Sequence, residues 1–504
     1  MFKNHPKGLL GAALSNMGER FGFYVMMAIL VLFLSAKFGL SGPQAGIIFS
    51  IFYFSIYVLA FVGGIIADRT RKYKTTILVG LVLMSLGYLL IAIPTGTPAP
   101  ADKFVLFLVI TCFGLLTIAF GNGLFKGNLQ ALVGQMYDNP EYAKMRDSGF
   151  QWFYMFINVG AMFAPFAAVG MRNWWVSHNG FVYNSDLPRL CHEFIANGVN
   201  MPGYERFVEL ATAPGQKALE ISQFATEYLS VFATGFHYAF AIAIGAMAIS
   251  MVIFLANKHK FPNPADKVKA AVGVQADEMN VHEIRQRIFA LLAVFAVVIF
   301  FWFSFHQNGL TLTFFARDYT LLQLGNWSFG AEIFQSVNPI LVVLLTPIII
   351  AFFAWLRSKG IEPSTPKKIA IGMLIAGIGF AIMMLGSFNV PSYSEVTEMG
   401  GLSDAMRVTP WLLIGTYFIL TIAELFISPL GISFVSKVAP PKYQGMAQGG
   451  WLCATATGNS LLFIGAILYE HIPIWATWAL FVVACLISMT VMLVMLKWLE
   501  RVSK

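Results

Sequence analysis

Apolar residues run along this chain for twenty or more positions at a time, and polar residues gather in short intervals between the runs. A helix that crosses a bilayer needs about 20 mainly apolar residues. On that criterion the pattern predicts about twelve spans, at roughly 9–36, 45–67, 75–94, 104–132, 148–170, 230–256, 287–316, 332–356, 367–388, 409–437, 445–470 and 473–497, numbered 1 to 12 here. Periodicity adds little, because helices enclosed by lipid and protein are apolar on most faces. Two polar intervals are long. The one at 257–286 is basic and leaves six spans on each side. The other, about 171–229, separates spans 5 and 6, carries Trp174 and Trp175, and includes a polar stretch near 203–228 that could be helical. Two readings of it stand: an ordered cap or interfacial helix, or a lid or partner site.

Composition then removes most alternatives. Hydrophobic residues make up 58% of the 504 positions, charged residues 12%, and the mean hydropathy is +0.70. A soluble domain carries about 25% charged residues. The net charge of +8 would suit a nucleic-acid partner, but its placement argues against one. Lys and Arg concentrate in alternate intervals: Arg69, Arg71, Lys72 and Lys74 after span 2, Lys258, Lys260, Lys267 and Lys269 after span 6, and Arg357, Lys359, Lys367 and Lys368 after span 8. Such intervals face the cytoplasm, so both termini are expected inside. The expected architecture is an all-α membrane protein of the major facilitator type: a six-helix half at 1–256, a cytoplasmic linker at 257–286 and a second six-helix half at 287–504. No cleavable signal peptide is expected. Cys112, Cys191, Cys453 and Cys485 show no disulfide or metal spacing, and neither a metal nor a cofactor is expected. No Walker A, H-E-x-x-H or G-x-S-x-G motif points to an enzyme.

Charge inside a span is where function is sought. An Asp, Lys or Arg at the centre of a spanning helix costs roughly 2.5–3.5 kcal/mol on insertion scales. Glu19 and Arg20 lie well inside span 1. Neighbours in sequence do not face each other on a helix, so at least one is expected to find a partner elsewhere; a cavity or coupling role and a buried structural pair are both open. Glu424 lies deep in span 10 with no basic residue within a turn, and reads as a ligand or ion site, or as a protonated structural carboxyl. Lys126, in span 4, either snorkels to the surface or serves a site; Gly121, Gly123 and Gly127 beside it allow close approach. His306 in span 7 is either a hydrogen-bonded core histidine or a proton-handling group. Asn158 and Asn338 bridge helices or bind a ligand. Arg20 and Lys126 in the first half and Glu424 in the second make a dipolar cavity between the halves. Such a cavity suits a zwitterion.

At these residues the chain resembles the proton-dependent oligopeptide transporter family of the major facilitator superfamily. The matching blocks are GERFGFY at 18–24, YVLAFVGGIIADR at 57–69, GNGLFKGNL at 121–129, FQWFYMFINVGA at 150–161 and AELFISPLG at 423–431, with VNPILVVLLTP in span 8 and GGWLCATATGN in span 11. The resemblance implies a bacterial inner-membrane carrier, working as a monomer, that imports di- and tripeptides with protons by alternating access. It implies substrate-binding roles for Arg20, Tyr24, Tyr57, Lys126, Asn158, Asn338, Glu424, Ser428 and Trp451. It implies proton coupling through Glu19 and the position of His306, and a conformational loop motif at Gly64, Asp68 and Arg69. The chain departs from the family where Asn16 and His306 replace carboxylates and Phe23 replaces a tyrosine. The 257–286 linker is too short for the two extra helices common in bacterial members, and the 171–229 segment is unusually long. Protonated His306 would be expected to repel Arg20. With one acid fewer, the cavity should accept anionic ligands such as acidic peptides more readily. Another small polar solute, such as an amino acid, nitrate or a peptide-like conjugate, is the alternative cargo; a transporter-like receptor or membrane enzyme is the alternative of another class.

Overall fold

A computed structural model describes residues 5–70, 72–95, 103–137, 141–142, 146–262, 281–325, 327–440 and 444–503. A few side chains within these ranges, Asp68 among them, lie outside the description, as do residues 263–280 of the expected linker. Among the described residues, twelve helices are long and apolar enough to cross a membrane: Leu9–Phe38, Gly42–Ala67, Tyr73–Ala92, Phe104–Met136, Trp152–His178, Ile221–Lys260, Val281–Tyr319, Ala331–Leu356, Thr365–Gly386, Pro410–Ile432, Gly449–His471 and Ile474–Val502. These are spans 1 to 12.

The largest departure from the sequence reading falls around spans 5 and 6. The helix of span 5 runs on to His178, and that of span 6 begins at Ile221. The connecting segment is therefore 179–220 rather than 171–229. Hydropathy stops at Arg172 and Asn173, whereas the helix continues because Arg172 is wholly buried in protein rather than exposed at a membrane edge. The segment itself holds two short helices, Leu187–Asn197 and Tyr204–Ala211. Within the polar stretch near 203–228, the helix Tyr204–Ala211 and the start of span 6 at Ile221 are separate pieces.

Span 1 is enclosed on nearly every side and packs against spans 5 and 6. Span 3 packs on spans 4 and 6, and span 2 on span 4. In the second group, span 9 packs on spans 10 and 12, and span 7 on spans 11 and 12. The two groups meet where span 2 lies along span 11 and span 5 along span 8. Small residues allow the closest approaches. A Cβ on Gly123 would lie 2.5 Å from the Leu59 backbone, and one on Gly63 would lie 2.3 Å from the Gly123 carbonyl oxygen. Spans 2 and 4 therefore touch backbone to backbone, as helices do in lipid, where association relies on packing rather than on hydrophobic transfer.

Two spans are interrupted near mid-length. Span 7 is α-helical to Phe305, passes through a 3₁₀ turn at His306–Gly309 and resumes at Thr311–Tyr319. Span 11 breaks between Gln444–Ser460 and Phe463–His471. Freed backbone groups at such depth need partners. The Gln307 amide donates to the Leu462 carbonyl (3.2 Å), which ties one interruption to the other, and the Tyr417 hydroxyl donates to the Asn308 carbonyl (3.1 Å).

Candidate functional site

A cavity of about 330 Å³ lies between the two helix groups. Arg20, Tyr24, Tyr57, Lys126, Asn158, His306, Asn338, Glu424, Ser428 and Trp451 all line it, with Asn16. Ten expected positions from eight spans thus converge. Glu19 is not among the lining residues. It is fully buried behind Arg20, accepting two bonds from that guanidinium (2.5 and 2.6 Å) and one from the Asn122 amide (2.8 Å). Glu19 thus finds the expected partner elsewhere, Asn122 of span 4, and it also pairs with its neighbour. Cβ vectors of adjacent residues diverge, but the arginine side chain is long enough to fold back onto its neighbour.

On the opposite wall, the Asn338 amide donates to Glu424 (2.8 Å) and to the Thr421 hydroxyl (3.0 Å). Asn338 therefore bridges spans 8 and 10 as well as facing the cavity. Asn158 donates to the Tyr154 carbonyl of its own helix (3.3 Å). Trp451 is buried, and an added Cβ at Gly431 would lie 2.0 Å from its ring. The glycine of the span 10 block is thus the space into which the indole fits.

Lys126 points into the cavity instead of snorkelling. Its ammonium stands 5.0 Å from the centroid of the Tyr57 ring, and it makes no ion pair with a described residue. His306 is held from three sides. Its Nδ1 bonds the Asn459 side-chain oxygen at 2.5 Å, its ring stacks on Trp302 with 4.8 Å between centroids, and Tyr53 of span 2 lies 4.8 Å away. Lys126 and Arg20 line the same cavity as His306, and a path of aromatic rings through Tyr53 and Tyr57 leads from His306 to Lys126. Gly64 and Arg69 lie at the far end of span 2, with open space around Gly64 and Arg69 exposed; they do not reach the cavity. The Asp68 side chain falls outside the described residues.

Several lining residues carry no charge and gave no signal in the sequence: Tyr53, Gln130, Tyr154, Trp302, Asn308 and Gln335. A second missed group seals the bundle at the end bearing the 179–220 segment. Arg172 of span 5 pairs with Glu332 at the start of span 8, both fully buried. The Arg172 guanidinium also lies 4.4 to 5.3 Å from the rings of Tyr183, Phe232 and Phe236. Nearby, Arg407 donates to Asp186 at 2.9 Å, and Gly203 meets Gly400 backbone to backbone. Burial holds the Asp186 carboxyl above its usual range, against the opposing pull of Arg407. Toward the end bearing the termini, Tyr154 and Ile432 stand half exposed at the cavity rim. Among the described residues no cluster could hold a metal ion.

Twelve apolar helices around a buried polar cavity define a membrane carrier. The chain belongs to the POT family, whose model matches residues 74–276 and 263–475. A peptide transporter of Yersinia enterocolitica, YePEPT, is 30% identical over 91% of this chain and 87% of that protein. Dipeptide and tripeptide permease B of Xenorhabdus bovienii is 26% identical over 99% of this chain and 97% of its own length. The solved peptide transporter POT in complex with sulfate superposes with a TM-score of 0.73 at 23% identity, covering 100% of this chain and 96% of that one. The fold is therefore that of the major facilitator carriers. With bacterial relatives of this kind and twelve apolar helices, the chain is a multi-pass protein of the inner membrane.

Proposed function

We propose that this chain imports di- and tripeptides across the inner membrane by alternating access between a first half at 1–256 and a second at 287–504, joined by a cytoplasmic linker at 257–286, with both termini in the cytoplasm. The carrying observation is the charge layout of the cavity: Arg20 and Lys126 on one wall, Glu424 on the other, in a space of about 330 Å³. A peptide zwitterion has one charge for each wall. In this reading Arg20 and Lys126 receive the peptide carboxylate and Glu424 its amine. Asn158 and Asn338 meet the backbone, and Tyr24, Tyr57 and Trp451 border the side chains. Ser428 supports Glu424. Relatives named for peptide, dipeptide and tripeptide transport favour this cargo over other zwitterions. The 2.5 Å contact of Glu19 with Arg20 supports a coupling role. Protonating Glu19 would release the guanidinium toward an incoming carboxylate, and deprotonation would recapture it. Gly64, Asp68 and Arg69 would act in the conformational change, at a distance from the ligand. The molecule would work as a monomer.

Labelled Ala-Ala offered to proteoliposomes tests the reading. Intact dipeptide should accumulate inside. Recovery of free alanine would turn it toward an enzyme, and no accumulation toward a receptor.

A further inference from the structure

Setting aside its internal pairs leaves the charge of the central cavity uneven. Arg20 is matched by Glu19 (2.5 Å). Glu424, the one carboxylate among the lining residues, holds Asn338 on the far wall. Lys126 has only the face of Tyr57 (5.0 Å) as a partner among the described residues. A half-buried ammonium without a counter-ion is costly, and a ring face offsets about 0.5–2 kcal/mol of that. A second nitrogen base, His306, lines the same cavity. Tyr57 touches Tyr53 (5.8 Å between centroids) and Tyr53 touches His306 (4.8 Å), so Lys126 and His306 stand at the two ends of one aromatic step.

The way His306 is held matters. Its Nδ1 lies against the Asn459 side-chain oxygen, an acceptor, so the Nδ1 proton is spent there. Trp302 and Tyr53 cover the ring. That leaves Nε2, which bonds no described residue. An anion placed between Lys126 and Nε2 would favour a proton on that nitrogen, because an opposite charge within about 4–6 Å stabilises the charged form. The proton comes from bulk water; no covalent bond changes.

We propose that Lys126 and His306 form a subsite for a carboxylate side chain of the cargo, so that the cavity selects acidic peptides over neutral ones of the same shape. This rests on the peptide reading above. A dipeptide such as Ala-Asp brings two carboxylates: Arg20, which shares the terminal one with Lys126 in a neutral peptide, keeps it alone, and the side-chain carboxylate takes the Lys126–His306 step, while the amine keeps Glu424. Ala-Asn fills the same volume without the second charge.

The experiment compares Ala-Asp with Ala-Asn in two assays: competition against Ala-Ala uptake in proteoliposomes, and calorimetric titration of the purified protein. A charge-assisted hydrogen bond to a buried cation corresponds to about a tenfold to hundredfold preference, so Ala-Asp should bind and compete at least tenfold more strongly. In His306→Gln the ratio should contract toward one, and in His306→Glu it should invert, with Ala-Lys becoming the better ligand; the readout is the ratio, whatever the absolute uptake. Equal or poorer binding of Ala-Asp, an unchanged ratio in His306→Gln, or no binding of either peptide overturns the proposal. Absence of Ala-Ala uptake alone defeats the transport reading, and the titration still decides the acidic preference.

Discussion

Neutralising Glu332 should unlatch the end of the bundle that carries the 179–220 segment. Glu332 and Arg172 come from different helix groups, both are fully buried, and one ion pair joins them. Glu332→Gln keeps the side-chain volume but leaves the Arg172 guanidinium buried with only Asn173 and three aromatic rings around it. Removing one partner of a buried pair costs about 3–5 kcal/mol. The ring cage should retain the arginine and hold the cost near the lower figure, since cation–π contacts contribute about 0.5–2 kcal/mol each. In the opened arrangement Arg172 would meet water, so the cost falls on the closed arrangement alone. At about 1.4 kcal/mol per tenfold, 3 kcal/mol shifts the balance roughly a hundredfold toward opening. Spin labels at Val182 and Met406, both exposed and on opposite sides of the seal, report it by pulsed electron spin resonance in a background without the four native cysteines. The short distance should give way to a longer one in Glu332→Gln. In the double variant Arg172→Met/Glu332→Leu the short distance should return, because replacing a buried pair by apolar residues is often neutral or stabilising. An unchanged distribution in the single variant, or a double variant that opens as far as the single, would refute the reasoning.

Other outcomes follow from the same geometry. Glu424→Gln should weaken Ala-Ala binding about tenfold to a hundredfold, the range of a hydrogen bond to a charged group, while binding of N-acetylated Ala-Ala stays as weak as in the parent; equal loss for both peptides would remove Glu424 from the amine site. Gly123→Ala should lower the melting temperature, because a Cβ there meets the Leu59 backbone at 2.5 Å and overpacking costs about 1–3 kcal/mol; Gly64→Ala, with open space around it, should not. His192, in the helix Leu187–Asn197, donates to the Ala36 carbonyl at 2.6 Å, and burial holds its pKa below the ordinary value. Docking of the segment should therefore be fully stabilised above about pH 6.5 and weaken as the pH falls toward the depressed value. The Val182–Met406 distance should broaden on acidification in the parent and stay constant in His192→Asn.

Most of the spans were legible because length and hydropathy alone define a helix in lipid. The site was legible where it cost energy. Arg20, Lys126 and Glu424 stand out in apolar sequence, and each proved to line one cavity. Tyr53, Tyr154 and Trp302 line it equally but look like any aromatic residue of a span, and only their convergence from distant spans marks them. Arg172 and Glu332 were hidden differently. Each lies near the end of a span, where a charge ordinarily faces water, and 160 positions separate them in sequence. The Glu19–Arg20 pair was one of two open readings; Cβ positions alone argue against it, but the arginine guanidinium lies several bonds further out and folds back onto Glu19. His306 stands where an acid is expected, and the aromatic path from it through Tyr53 and Tyr57 ends on Lys126, which turns the question from repulsion between halves to recognition of anions.

The most direct test of the account is uptake of labelled Ala-Ala by proteoliposomes in which a pH gradient and a membrane potential are imposed separately. Accumulation above the external concentration under an inward proton gradient, reduced about tenfold to a hundredfold in Glu424→Gln at subsaturating peptide, is the predicted result. Equilibration without accumulation under either force would make the chain a facilitator, and no dipeptide entry at all would contradict the reading of the cavity as a peptide site.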